Sequence, residues 1–83
     1  MESFREASDK LKKLGVDLPE QAAALGRSYQ AIRLMRLDPG SKGYRPPPER
    51  SNWSSAWAAL LRERAKQLQE EADRLEREAG AAQ

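Results

Sequence analysis

Four polar side chains recur at short intervals between residues 28 and 37, and their types suit hydrogen bonding to nucleobases. Tyr29, Gln30, Arg33 and Arg36 are spaced so that a helix over this segment would place them on one outward side. Glutamine can bond adenine through two hydrogen bonds, and arginine can do the same with guanine. The spacing therefore predicts that Gln30 and Arg33 read bases, while Arg36, one turn later, reaches a base or a phosphate.

A glycine and a serine predict where this helix begins. Leu25-Gly26 would end a preceding short helix, because Gly26 can adopt the positive φ of a helix C-cap. Ser28 would cap the second helix and, with the first amides of that helix, bind a phosphate. Two helices joined in this way over residues 18–36 form a helix-turn-helix, which presents its second helix to the DNA major groove.

Apolar residues interleave with the polar ones in the same segment. Ile32 and Met35 are expected to face inward with Leu25. Leu34 and Leu37 have two interpretations, since they can touch thymine methyl groups or pack on helix one or the connector. The residues predicted to contact double-stranded DNA are Arg27, Ser28, Tyr29, Gln30, Arg33, Arg36, Lys42, Tyr44 and Arg45.

The charge is distributed unevenly along the 83 residues. The net charge is only +2, but residues 27–50 hold six basic and two acidic side chains, a local net of +4. From residue 51 onward five basic residues meet six acidic ones, a local net of −1. The positive charge therefore falls on the predicted reading helix and the loop behind it, where phosphate neutralisation requires it. Lys42, Tyr44 and Arg45 are expected to follow the phosphate backbone or enter a neighbouring minor groove.

The remaining elements follow from apolar spacing and from breakers. The first helix is predicted over 2–14, ending at Gly15, and the second places Pro19 at its first position. Helix three stops at Leu37, because Asp38-Pro39-Gly40 cannot continue it. The apolar residues that define helix one are Phe4, Ala7, Leu11 and Leu14.

A proline-rich connector and a long helix complete the chain. Residues 41–52 include Pro46-Pro47-Pro48 and are expected to form an extended, polyproline-like segment without a strand ladder. The following helix is predicted from Ser54 to about Ala79, with Ser54 or Asn52 as its cap. Trp53, Trp57 and Leu60 at its start are expected to close the core, the alternative being stacking on single-stranded bases.

A heptad pattern in this last helix predicts a homodimer. Leucine occupies one seam position and alanine the other for about three repeats, although a helix that folds back on its own domain is the alternative. An antiparallel pair centred near Glu70 sets Arg62 against Glu76 and Arg64 against Glu78, whereas a parallel pair sets Glu71 against Glu76. The predicted dimerisation residues are Trp57, Leu61, Ala65, Leu68, Ala72 and Leu75.

Composition removes several classes of function. The chain has no cysteine and no histidine, so no catalytic function, no metal site and no cofactor are predicted. No apolar run approaches the roughly 18 residues of a membrane span and no signal peptide is recognisable, so a cytoplasmic protein of a bacterium or its phage is expected. A core of this size supplies a folding stability of only about 3 to 5 kcal/mol, so dimerisation would add needed stability.

The predicted turn resembles that of the Cro/CI-type, or lambda-repressor-like, helix-turn-helix family. Gln21 and Arg27 stand where that pattern usually has apolar residues. The stretch Gly43–Pro48 also resembles the Arg/Pro-rich segment that follows the recognition helix in short phage regulators, including anti-CRISPR-associated repressors. The resemblance implies a dimer that represses its own operon. The residues that match the family pattern are Ala22, Leu25, Gly26, Ser28, Ile32 and Met35.

These observations together predict an all-α protein in three parts. Residues 1–40 form a helix-turn-helix DNA-binding domain, 41–52 a connector and 53–83 a C-terminal dimerisation helix. The predicted function is a sequence-specific transcriptional regulator, a homodimeric repressor that reads a palindromic operator. One alternative uses the same parts in another phage or plasmid DNA-binding protein, such as a small terminase subunit, a partition protein or an excisionase. The other is a helical protein–protein adaptor such as an antitoxin, in which the C-terminal helix is the active surface and the basic stretch is incidental.

Overall fold

The computed structural model describes residues 2–81, and these residues form an all-α fold, as the sequence predicts. Four helices follow one another along the chain: α1 (Phe4–Lys13), α2 (Leu18–Ala24), α3 (Tyr29–Met35) and α4 (Arg50–Ala81). The first three are short and surround a small core with the first half of α4. The long C-terminal helix that the sequence predicts is therefore present.

Side-chain caps define the starts of the three short helices. Ser3, Asp17 and Ser28 each accept a hydrogen bond from the amide three residues further on, at 3.1, 3.0 and 3.0 Å. The Ser28 cap was predicted. The other two caps also had a signal in the sequence, because Ser3 and Asp17 are each followed after three residues by glutamate, the pattern of a capping box.

Glycines in the left-handed region end α1 and α2. Gly15 has φ +91° and Gly26 has φ +68°, a conformation in which a Cβ would be strained. After Gly26 the chain reverses, and the amide of Arg27 bonds to the carbonyl of Ala22 at 2.9 Å. The predicted ends of the first two helices are confirmed to within a residue or two.

Aromatic rings lie at the centre of the core. Phe4 meets Trp53 edge to face at 5.6 Å between ring centroids, and it lies 4.9 Å from Trp57. Both tryptophans are buried, so their predicted core role is confirmed. The indole Nε1 of Trp57 donates to the carbonyl of Gln21 at 3.2 Å, which ties α4 to α2. The other buried apolar residues are Ala7, Leu11, Val16, Ala22, Ala31, Ile32 and Met35.

Helix α4 begins four residues earlier than predicted. Its first residue is Arg50, and the carbonyl of Glu49 accepts from the amides of Asn52 and Trp53 at 2.9 and 3.1 Å. Ser54 is not a cap, since its hydroxyl lies inside the helix and donates to the carbonyl of Arg50 at 2.6 Å. The prolines at 46–48 end just before the helix, so nothing in residues 50–53 prevents helix formation.

The long helix has two parts with different surroundings. Residues 50–64 cover the core, where Leu60 and Leu61 pack against it. From residue 65 onward every described side chain of the helix is exposed. This projecting segment, 65–81, is about 25 Å long at 1.5 Å per residue, and it gives the molecule its extent of 60 Å against 22 and 21 Å.

Two members of the predicted dimerisation set therefore belong to the chain's own core. Trp57 is 2% exposed, so it is not available to a partner, whereas Leu61 is partly buried against the core. The fold-back alternative is correct for the first half of α4, because the core of such a short chain needs an amphipathic wall on that side. It is wrong for the projecting segment.

The connector between α3 and α4 has no strand and no helix within 37–49. Its backbone is held to the end of α3, where the amide of Arg45 donates to the carbonyl of Leu34 at 3.3 Å. Gly43, with φ +89°, brings the chain alongside the Leu34 side chain. Of the two interpretations of Leu34, the structure supports packing on the connector.

Candidate nucleic-acid interface

The outward side of α3 carries polar side chains and its inward side is closed by the core. Tyr29, Gln30 and Arg33 are exposed, whereas Ile32 and Met35 are buried. The predicted division of these five residues between the two sides is confirmed. The guanidinium of Arg33 lies 5.8 Å from the centroid of the Tyr29 ring, a cation–π distance that orients both side chains on the exposed surface.

Arg36 does not share this outward side, which corrects the prediction that it projects outward with Tyr29, Gln30 and Arg33. Its Nη1 donates to the Ser8 hydroxyl at 2.6 Å, and its Nη2 lies 2.8 Å from Asp9 Oδ1. Only 15% of the side chain is exposed. The hydrogen bond from Arg36 holds the pKa of Asp9 below its usual value. Arg36 thus fixes the end of α3 to α1, because the flexible arginine stem reaches a carboxylate on the neighbouring helix.

Gln21 connects this ion pair to the interior. It is fully buried, and its Nε2 donates to the carbonyls of Ser8 and Val16 at 3.1 and 3.0 Å. The Ser8 hydroxyl donates to Gln21 Oε1 at 2.5 Å while accepting from Arg36. The four side chains Asp9, Arg36, Ser8 and Gln21 form one chain of hydrogen bonds, which we call the polar network. It links the surface of α1 to the centre of α2 and the end of α3.

The polar network is not among the features predicted from the sequence. One signal was available, since Gln21 occupies a place where the helix-turn-helix pattern usually has an apolar side chain. A buried amide needs hydrogen-bond partners, and a serine in the apolar stripe of α1, at Ser8, is a natural candidate. The partner of Arg36 could not be predicted, because several acidic residues are equally placed in the sequence.

Exposed cations continue from α3 into the connector. Arg27, Arg33, Lys42 and Arg45 are all exposed, and none forms an ion pair with an acidic side chain within residues 2–81. Tyr44 is half-buried. The predicted DNA contacts other than Arg36 therefore lie at or near the surface.

Ser28 has a structural function that the structure does show. Its hydroxyl accepts from the amide of Ala31 and begins α3. The residue is exposed, so its hydroxyl group is accessible from solvent. Ser28 therefore positions the outward side chains of α3 even before any contact with a ligand is considered.

A shallow cavity of about 270 Å³ lies beside Arg33, between α1, α3 and the connector. The guanidinium groups of Arg5, Arg33 and Arg36 all line it, together with Ser41. Asp38 is the acidic residue at this cavity, and it lies 3.4 Å from Arg5. Arg36 at this cavity is already paired with Asp9, and Arg5 is paired with Asp38, so Arg33 is the lining cation without an ion pair among residues 2–81.

No protein-family model, curated protein or solved structure matches this chain. The likeness to Cro/CI-type regulators therefore rests on the residues of the turn alone. Within residues 2–81, no helix combines the length and the hydropathy needed to cross a membrane. The same residues contain no group of three or more acidic side chains arranged to hold a metal ion.

Proposed function

We propose that the chain is a DNA-binding transcriptional regulator in which α2, its turn and α3 act as a helix-turn-helix. The observation that carries this proposal is the two-sided nature of α3. Its buried side is closed by Ile32 and Met35, while its exposed side offers Tyr29, Gln30 and Arg33 and no acidic residue. Such a surface suits the major groove, where hydrogen-bond donors meet base edges between two rows of phosphates.

The side chains divide into readers and positioning groups. Gln30 and Arg33 are proposed to read bases, whereas Arg27, Lys42 and Arg45 are proposed to bind phosphates on either side. Arg36 is proposed to be a positioning residue, because its guanidinium bonds to Ser8 and Asp9 and so holds the end of α3 against α1. Among the residues named here, Arg36 is the one whose proposed role differs in kind from the sequence-based prediction.

The regulator is further proposed to act as a homodimeric repressor on a palindromic operator. A two-fold axis in the protein would match that of the operator, with half-sites about 34 to 36 Å apart. The projecting segment of α4 is the available element for pairing, since it makes no contact with its own core beyond residue 64.

The experiment that tests DNA binding starts from a pool of random duplexes. The purified chain is used to select bound sequences, and the selected duplex is then titrated by fluorescence anisotropy. Arg33→Ala should cost about 1 to 3 kcal/mol on this duplex and relax the base preference, because a bidentate contact is lost. Arg77→Ala, on the exposed side of the projecting segment, is the matched control and should leave both quantities unchanged.

Two results would contradict the proposal. If the selection enriches no duplex sequence, the chain does not recognise specific bases. If Arg33→Ala and Arg77→Ala lose equal amounts of binding free energy, each arginine contributes only through its charge.

The salt dependence gives an independent measurement. The three cations that are proposed to bind phosphates, Arg27, Lys42 and Arg45, should each contribute a slope of about −0.9 in log K against log salt. Lys42→Ala should therefore weaken binding to all sequences alike and reduce the magnitude of the slope of log K against log salt by about one. A binding constant that does not change between low and physiological salt would exclude phosphate contacts by these residues.

A second candidate function is a helical protein–protein adaptor. The observation that favours it is the exposure of Leu68 and Leu75 on the projecting segment, which are 64% and 52% exposed. In that case α4 would be the active surface and the cations around α3 would be incidental. The duplex selection separates the two, since an adaptor would enrich no sequence.

A further inference from the structure

Tyr29 and Arg33 are in contact on the exposed side of α3. They are four residues apart, about one helical turn, so their side chains can meet. The guanidinium carbon of Arg33 lies over the Tyr29 ring, 5.8 Å from the ring centroid, which is within the range of a cation–π interaction. Tyr29 is 46% exposed and Arg33 is exposed as well, so the contact lies on the surface that is proposed to face DNA.

The Tyr29 ring lies outside the core. The aromatic residues of the core are Phe4, Trp53 and Trp57, and they pack against one another. A second cation–π contact, of Arg50 with Trp53 at 4.9 Å, involves a ring that the core already holds. Replacing Tyr29 therefore changes the surroundings of an exposed arginine and leaves the packing of the core as it is.

The contact with the ring leaves the hydrogen-bond donors of Arg33 available. A ring attracts the positive charge of a guanidinium through its π electrons, whereas the five N–H donors lie in the guanidinium plane. Within residues 2–81, Arg33 donates no side-chain hydrogen bond and forms no ion pair. Arg36, at the end of α3, is the contrast, because Ser8 and Asp9 engage its donors. An ion pair orients an arginine but uses its donors, while a ring orients it and spares them.

The orientation of Arg33 before binding matters because an arginine side chain is long and flexible. A guanidinium loses rotational freedom when it bonds both O6 and N7 of guanine. This loss occurs only where a guanine is met, so it lowers the preference for guanine over the other bases. A ring that already holds the guanidinium in the free protein reduces the loss.

We propose that Tyr29 is a positioning residue that sharpens the selection of guanine by Arg33. The ring acts through Arg33, and the tyrosine hydroxyl has no part in the effect. Each half-site should accordingly hold a guanine at the base pair that Arg33 meets, and the preference for it should depend on the ring. The base preference of the uncharged Gln30 should be independent of the ring. This inference rests on the proposed function, because it concerns the base contact assigned there to Arg33.

The first test measures the contact by NMR in the chain without DNA. The ring current of Tyr29 should shift the Arg33 side-chain proton signals upfield of those of Arg77, since the projecting segment contains no aromatic residue. Tyr29→Phe should keep this shift. Tyr29→Leu should abolish it without lowering the helix content in circular dichroism, because position 29 is exposed. Equal Arg33 shifts in the unmodified chain and in Tyr29→Leu would overturn the proposal.

The second test measures base preference by selection from random duplexes with each of these chains. Tyr29→Phe should keep the preference of the unmodified chain at every base pair, because the ring is retained. Tyr29→Leu should lower the preference for guanine about 2- to 5-fold, the strength of an exposed cation–π contact. This change should fall on the base pair that Arg33→Ala relaxes and not on the one that Gln30→Ala relaxes.

A double variant separates action through Arg33 from direct contact of Tyr29 with DNA. Tyr29→Leu combined with Arg33→Ala should bind the selected duplex no more weakly than Arg33→Ala alone, because the ring then has no cation to hold. Additive losses would overturn the proposal, as would a loss for Tyr29→Phe equal to that for Tyr29→Leu. An unchanged guanine preference in Tyr29→Leu would overturn this inference alone. If the unmodified chain enriches no sequence, the proposed function fails and this inference fails with it.

Discussion

For the substitution Gln21→Leu, the family pattern and the structure predict opposite effects on the stability of the fold. The helix-turn-helix pattern usually has an apolar residue at this place, so the pattern predicts that Gln21→Leu is harmless or stabilising. The structure predicts the reverse. Gln21 is fully buried, and its amide is the partner that the structure gives to the Val16 carbonyl and to the Ser8 hydroxyl proton.

The magnitude follows from the groups that lose partners. Leaving the Val16 carbonyl and the Ser8 hydroxyl unsatisfied costs about 1 to 3 kcal/mol each, or about 4 kcal/mol in the middle of that range. The added apolar surface of leucine offsets about 1 to 2 kcal/mol. The net loss of about 2 to 3 kcal/mol corresponds to a fall in Tm of about 10 to 20 °C for a domain of this size.

Thermal and urea unfolding followed by circular dichroism measure this loss. Gln67→Leu makes the same chemical change at an exposed position of α4, and its effect should stay within about 0.5 kcal/mol. A double-mutant cycle of Ser8→Ala with Gln21→Leu should give a coupling of about 0.5 to 3 kcal/mol, since the two side chains share a hydrogen bond. A Tm for Gln21→Leu equal to or above that of the unmodified chain would refute the reasoning and favour the apolar pattern.

Three further predictions concern the ion pair, the aromatic core and the turn. Arg36 lowers the pKa of Asp9 in the folded protein, so their ion pair stabilises the fold above the unfolded pKa of Asp9, and this stabilisation is lost as the pH falls through the folded pKa. NMR titration should show a higher pKa for the Asp9 carboxyl in Arg36→Met than in the unmodified chain. An equal pKa in both proteins would contradict the pairing. Trp57→Phe should cost about 1 to 3 kcal/mol in urea unfolding, because the Gln21 carbonyl loses its indole donor, and no loss would exclude that bond. Gly26→Ala should cost about 1 to 2 kcal/mol in the same assay, since φ is +68° while a Cβ would meet no atom within 4 Å; a neutral effect would show that the turn can relax.

Local signals predicted most of the fold. The caps and breakers around α3, from Gly26 through Ser28 to Pro39, act within a few residues, so their effects could be read directly from the sequence. The start of α4 was harder to predict, because Arg50 and Ser51 carry no strong signal and helix formation simply extends back until the prolines prevent it. Helix starts with a Ser-x-x-Glu or Asp-x-x-Glu pattern were available in the sequence but were not used.

The candidate site was predicted less completely, for reasons that depend on tertiary structure. Periodicity placed Gln30 and Arg33 on the outward side of α3 correctly, since 3.6 residues per turn decide the side. It failed for Arg36, because a long flexible side chain can turn toward any nearby carboxylate, and Asp9 is close only after folding. It likewise assigned Leu61 to a seam, since a heptad does not show where the chain's own domain ends.

Because α4 is one continuous helix, binding of a partner to its projecting segment affects the stability of the whole domain. The helix that reaches into solvent through residues 65–81 is the same helix that supplies Trp53 and Trp57 to the core. A partner that binds only the folded projecting segment therefore adds its binding free energy to the stability of the whole domain. At a hundred times the dissociation constant this addition is about 2.7 kcal/mol, comparable to the stability expected for such a small core. The abundance of the folded protein would then rise with the concentration of its partner. A chain without its partner would unfold more often and would therefore be the form most susceptible to proteolysis.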